Sequence, residues 1–340
     1  MAQISTDNNT LDSNYTIEGG FGPYDFIHLT IVSAVGIGLC LTGFIGNVIV
    51  FWYLFFRIQR NKYTVYIINL AVADFICLLF IALLLMVNIN TLIGKHPAFK
   101  GKEHLDPFLK IIYDFSFYSG MFLLTAISME RSITVCFPIW CRCHRPKNLS
   151  AIMCSCLWSV GATESLIKNL ACPDEFEIQT PACTGVQIMT FVLNLCICLP
   201  LMIISSLILL ITIKRIFRQR YPPRLYIIII SAVFVFTLSV TPITLLWFLM
   251  YFKFSQSPVL IVGHYFASMY CTALNSTTNP YIYFIVGRKW KQKSHHSIHD
   301  ALQRVFKAEE EGNKNLTCEK MNSSSVESRK TESSLSNSEK

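Results

Sequence analysis

Seven stretches of this chain are long and apolar enough to cross a bilayer, and nothing else in the sequence constrains the fold as tightly. A crossing needs roughly 20 apolar residues in a helix, and such spans run over 27–56, 64–91, 108–137, 149–171, 185–213, 224–252 and 259–286. Lipid offers no water to satisfy unpaired backbone groups, so each span has to be helical. Composition agrees: the 340 residues are 52% hydrophobic and 15% charged, with a mean hydropathy of +0.44, outside the range of soluble domains. The expected fold class is an all-α membrane protein, a seven-transmembrane helix bundle with a short amphipathic cytosolic helix.

Orientation follows from the short loops. The first, third and fifth loops hold Arg57, Arg60, Lys62, Arg142, Arg145, Lys147, Lys214, Arg215, Arg218, Arg220 and Arg224, eleven cations against four (Lys95, Lys100, Lys102 and Lys253) in the alternate loops. The basic loops are expected in the cytosol. Residues 1–26 then form an extracellular tail, 27–287 the membrane domain, 288–307 an amphipathic helix on the inner lipid surface, and 308–340 a disordered cytosolic tail. The tail at 1–25 has no Lys or Arg and no cleavable signal sequence, so the first span is expected to act as an uncleaved signal anchor. Asn8 and Asn14 stand in glycosylation triplets on the outer side. The expected location is the plasma membrane.

Polar residues inside the spans say more about function. Each costs about 2.5 to 3.5 kcal/mol at a helix centre if left unpaired. Asp74 is the deepest acid; it reads either as a hydrogen-bonded carboxyl or as the anchor of an allosteric sodium ion with Asn275, Ser276 and Asn279, the one candidate cofactor. On helix three, Gly120 offers such a site no oxygen from its side chain, with Ser116 and Ser119 nearby. Arg131, beside Glu130, reads either as a snorkelling arginine at the membrane boundary or as a functional charge. Asp114 lies 17 residues before Arg131, about 25 Å toward the outside; it serves a cationic ligand or a hydrogen bond to a neighbouring helix. Glu164 and Lys168 are spaced for an ion pair within helix four, the leading reading for both, and with Asp114 and Gln187 they are also the candidate ligand contacts. Trp247 reads as packing or an interface anchor. The run "CRCHRP", with Cys141, Cys143 and His144, lacks the second ligand pair a zinc site needs.

Taken in order, "GFIGNVIVF", "INLAVADF", "SMERS" and "NSTTNPYIY", with Pro200 and Pro242 in spans five and six, resemble the rhodopsin-like G-protein-coupled receptors. "LLTAISMERSITVCFPIWCRCHRPKNLSA" and "KRIFRQRYPPRLYIIII" narrow the resemblance to the Mas-related receptors. That resemblance implies a receptor that transmits an extracellular peptide or small-molecule ligand to heterotrimeric G proteins. It places Glu130, Arg131, Pro138 and Arg224 at the coupling face, and Asn47, Asp74, Pro200, Val240, Pro242, Asn279, Pro280 and Tyr283 among the residues that switch. Val240 replaces the tryptophan common two residues before the helix-six proline, and "RQRYPPRL" at the start of helix six offers no acid to hold Arg131. Cys172 and Cys183 are implied to form the outer disulfide, as in Mas-related receptors, leaving the cavity mouth open.

Some members bind cationic ligands through two acids that here read Lys168 and Gln187, so the cationic preference does not carry over. A ligand with an acidic group suits Lys168 better. The Ser- and Thr-rich tail suits receptor kinases and arrestin, or is an inert solubilising segment. Membrane lipid is the remaining partner; neither enzymatic chemistry nor nucleic-acid binding is expected. A partner that acts by forming complexes with other receptors is the alternative. A transporter is less well supported, because the spans lack paired broken helices and internal repeats.

Overall fold

The computed structural model describes residues 23–58, 62–93, 102–137, 141, 146, 148–172, 180–216, 224–252 and 258–287. They build seven long helices: α1 (Pro23–Trp52, continued by a π-helical turn Tyr53–Arg57), α2 (Lys62–Ile93), α3 (Lys102–Cys136) and α4 (Leu149–Ala171). α5 is assembled from Pro181–Phe191, a π-helical stretch Val192–Cys198 and Leu199–Ile216; α6 (Arg224–Tyr251) and α7 (Pro258–Gly287) complete the bundle. Six of the seven are long and apolar enough to cross a membrane by length and composition alone. α7 has the same length but is diluted by the polar run Asn275–Asn279. The spans read from hydropathy match these helices, with one clear extension: α3 begins at Lys102, six residues before 108. A hydropathy threshold stops at the charged turn Lys102–Asp106, whereas backbone hydrogen bonding continues past the bilayer edge.

Neighbours in sequence are neighbours in space, and α7 closes back on α1. α3 packs against α2, α4, α5 and α6, so it is the central post. The side chains turned inward, among them Leu78, Leu123, Met202 and Leu209, are fully buried, while Ile31, Val35, Ile204, Phe234 and Ile285 face outward. That outward greasiness is the opposite of a soluble bundle and suits a lipid surround. Close approach is bought with small residues: a Cβ at Gly161 would strike Ser119 on α3, and one at Gly43 would strike Thr277 on α7.

Polar contacts tie the helices together at depth. Trp158 Nε1 donates to Asn69 Oδ1 at 3.0 Å, joining α4 to α2, and Ser132 Oγ donates to the Ser205 carbonyl at 3.0 Å, joining α3 to α5. Pro280 has no N–H, which leaves the carbonyl four residues earlier without its helical donor. Asn47 Nδ2 supplies one, reaching Ser276 O at 3.1 Å while also donating to Gly43 O at 3.0 Å. The Asn47 and Pro280 of the sequence reading are thus two halves of one joint between α1 and α7. Pro200 follows the π-helical stretch of α5, and Pro242 sits inside α6.

Asn8, Asn14, Pro138, the amphipathic segment 288–307 and the tail 308–340 lie outside the described residues, as does the side chain of Arg224.

Candidate functional site

At one end the helices part around a cavity of about 740 Å³. Its rim includes Leu29 of α1, the exposed Lys110 of α3 and Ile261 of α7; its deep end is lined by Met121, Leu199, Phe236 and Val240. The volume falls in the range of small-molecule sites. Val240 is buried and forms part of the deep lining.

Asp114, Lys168 and Gln187 all line the cavity. Lys168 Nζ stands 3.4 Å from both carboxylate oxygens of Asp114, an ion pair between α4 and α3. Asn169 Nδ2 adds a hydrogen bond to Asp114 Oδ2 at 2.9 Å. Of the two readings of Asp114, the structure supports the bond to a neighbouring helix. The spacing of Glu164 and Lys168 did not anticipate this cross-helix partner, because it looks only along one helix.

Glu164 was expected to contact ligand, and here the expectation is corrected. Its residue is 3% exposed and does not line the cavity; its Oε1 accepts from Asn194 Nδ2 of α5 at 3.1 Å. The π-helical stretch brings Asn194 to this position, a local irregularity with no hydropathy signature. Trp247 also departs from its reading as an anchor. It lines the cavity, donates Nε1–H to Gln187 Oε1 at 3.2 Å, and lies with its ring 5.3 Å from that of His264. Tyr113, bonded to Thr272 at 3.3 Å, and Tyr265, accepting from Asn88 at 3.0 Å, are further cavity residues that sequence reasoning missed. An aromatic in an apolar helix looks the same whether it faces lipid or a cavity.

The Cys172–Cys183 disulfide is present and joins the end of α4 to the first turn of α5, with Cα atoms 5.1 Å apart. Thr180 caps that turn by accepting from Cys183 N at 3.1 Å. Tyr251 at the end of α6 donates to Cys183 Sγ at 3.6 Å and pairs with Thr184 Oγ1 at 3.0 Å.

Midway down, Asn279 Nδ2 donates to Asp74 Oδ2 at 2.8 Å, and Tyr283 is buried one turn further along α7. For a sodium ion the oxygen set is incomplete. Gly120 faces α2 beside Asp74, within 3.7 Å of Ala73 for an added Cβ, so no hydroxyl enters from there. Ser116 gives its hydroxyl to Tyr113 O at 2.8 Å. Asn275 Oδ1 is buried without a hydrogen bond. One carboxylate already engaged by an amide, with no hydroxyl at position 120 and that of Ser116 turned back on its own helix, is a poor fit to a hard cation that wants several oxygens. No step is derived through such an ion.

At the other end of α3, Arg131 is only 2% exposed, which removes the snorkelling alternative. Its guanidinium carbon lies 3.0 Å from the centre of the Tyr63 ring on α2. Glu130 beside it is half-buried. Ile228, Ile229 and Ala232 of α6 and Tyr283 of α7 surround the same place.

Seven helices around a central α3, with a ligand-sized cavity at one end and a buried arginine at the other, define a seven-helix membrane receptor. Comparison with known proteins agrees. Residues 46–283 match the 7 transmembrane receptor (rhodopsin family). The chain is 33% identical to the mouse Proto-oncogene Mas, over 90% of this chain and 93% of that protein. It is 32% identical to the rat Mas-related G-protein coupled receptor member D, over 87% and 92%, and 34% identical to the human Proto-oncogene Mas, over 83% and 85%. The chain belongs to the rhodopsin family of seven-transmembrane receptors and, within it, to the Mas-related group: a multi-pass plasma-membrane receptor, not an enzyme.

Proposed function

We propose that this receptor transmits the binding of an extracellular peptide or small molecule to heterotrimeric G proteins. The observation that carries the reading is α3 itself, which lines the outer cavity at Asp114 and holds Arg131 at its other end. A ligand that favours one arrangement of the helices shifts the population in which Arg131 is released. The basic loops and the C-terminus face the cytosol in this reading, and the Ser- and Thr-rich tail receives kinases and arrestin. Nucleotide exchange on a panel of purified heterotrimers, with wild type against Arg131→Ala, tests it. Exchange that falls in the variant supports coupling; equal exchange in both removes the role given to Arg131 and favours the partner that acts by forming complexes with other receptors.

The preferred ligand carries an acidic group. Among the described residues, Lys110 and Lys168 line the cavity with one acid, Asp114, against them, so that part of the wall has a cation in excess. A ligand carboxylate meets Lys168 at the expense of its 3.4 Å contact with Asp114. Lys168→Glu is expected to lose activation by anionic compounds and to gain response to cationic ones. An unchanged preference in a cell-based activation screen contradicts this.

A further inference from the structure

The coupling role given to Arg131 calls for something to hold it at rest, and the start of α6 carries no acid to do so: the segment reads "RQRYPPRL". The α6 residues that stand around Arg131, Ile228, Ile229 and Ala232, are apolar. Arg131 is nevertheless buried, and the flat face of Tyr63, in the first turn of α2, lies 3.0 Å from its guanidinium carbon. A guanidinium over an aromatic face is attracted by the ring quadrupole, more strongly where water is excluded.

The ring is itself held in place. Tyr63 OH lies 3.1 Å from Thr134 Oγ1, and Thr134 gives its own hydrogen to the Glu130 carbonyl at 2.8 Å. With that hydrogen spent, Tyr63 is the donor to Thr134. The tyrosine is therefore fixed to α3 one turn beyond the arginine that it covers.

We propose that Tyr63 is a positioning residue that restrains Arg131 in the resting receptor through its ring face, in the place of a helix-six acid. The proposal rests on the coupling role given to Arg131 above. Engagement of a G protein requires the guanidinium to leave the ring, so the contact sets the resting equilibrium and with it the ligand-free output.

The test is ligand-free nucleotide exchange by purified receptor in lipid nanodiscs over a panel of heterotrimers. Tyr63→Leu removes the ring face, and Tyr63→Met fills similar space without a ring, in case leucine lowers the folded yield. Both are expected to raise exchange by about 3- to 30-fold, the span from a partly to a fully desolvated contact of this kind. Tyr63→Phe keeps the face without the hydroxyl and is expected to stay close to wild type. Adding Arg131→Ala to either ring-removing variant is expected to abolish the gain, as the coupling role of Arg131 requires. Wild-type exchange in both ring-removing variants, or a gain in Tyr63→Phe equal to theirs, overturns the proposal while leaving the coupling role of Arg131 standing. Exchange absent in every protein across the panel overturns both.

Discussion

Arg131 and Asp74 show how far a single residue can be read from sequence. Both stood out as charges within apolar runs, and both are buried, at 2% and 4% exposure, in line with the cost of leaving a charge in lipid. Their partners were less visible. Asn279 was legible because it shares a motif with Pro280; Tyr63 was not, since it lies 68 positions before Arg131 and an aromatic beside a basic loop carries no sign of its partner. The same limit explains Lys168, whose ion pair with Asp114 spans 54 positions, while the sequence suggested a partner four residues away. Two predictions belong at this scale. Glu130→Gln is expected to raise basal signalling, because it removes the carboxylate beside Arg131; unchanged output at matched surface expression contradicts that. With glycine at position 120 against Ala73 and no hydroxyl there, replacing potassium by sodium is expected to leave the thermal stability of the purified receptor unchanged in wild type and in Asp74→Ala alike. A sodium shift seen in wild type and lost in Asp74→Ala would establish the ion site that the oxygen set here disfavours.

Helices were the most legible feature, and their ends and irregularities the least. Hydropathy located all seven because lipid demands apolar length, but it cannot see a charged helical turn such as Lys102–Asp106 or a π-helical stretch such as Val192–Cys198. That stretch turns Asn194 to Glu164 and so withdraws an acid that had been assigned to the cavity. The contact between α3 and α4 depends on Gly161, where any side chain meets Ser119. Gly161→Leu is expected to destabilise the receptor by about 1 to 3 kcal/mol through overpacking, read as a lowered unfolding temperature in detergent; no change would show that the helices separate freely there. The disulfide closes a separation of 11 residues between α4 and α5, and opening it is expected to cost about 3 kcal/mol. Cys172→Ser should lower the unfolding temperature accordingly, with Cys183→Ser equivalent and the double variant no worse than either. An additive loss would mean that each sulfur acts by packing and not through the bond.

At the scale of the molecule, the account connects a cavity of about 740 Å³ to a buried arginine through the helix that touches four of its neighbours. The class of fold was readable because seven spans and their polar residues occur in a recognisable order. The cavity was not, because its walls come from helices far apart in sequence, and residues such as Trp247 and His264 acquire their role only when α5, α6 and α7 are brought together. The central claim is that this bundle engages a heterotrimeric G protein through the Arg131 end of α3. Co-purification of the receptor in nanodiscs with nucleotide-free heterotrimers tests it most directly. The account predicts a complex that forms with wild type, is weakened by Arg131→Ala and dissociates on adding guanine nucleotide; no complex with any heterotrimer, or one indifferent to both Arg131 and nucleotide, would contradict it.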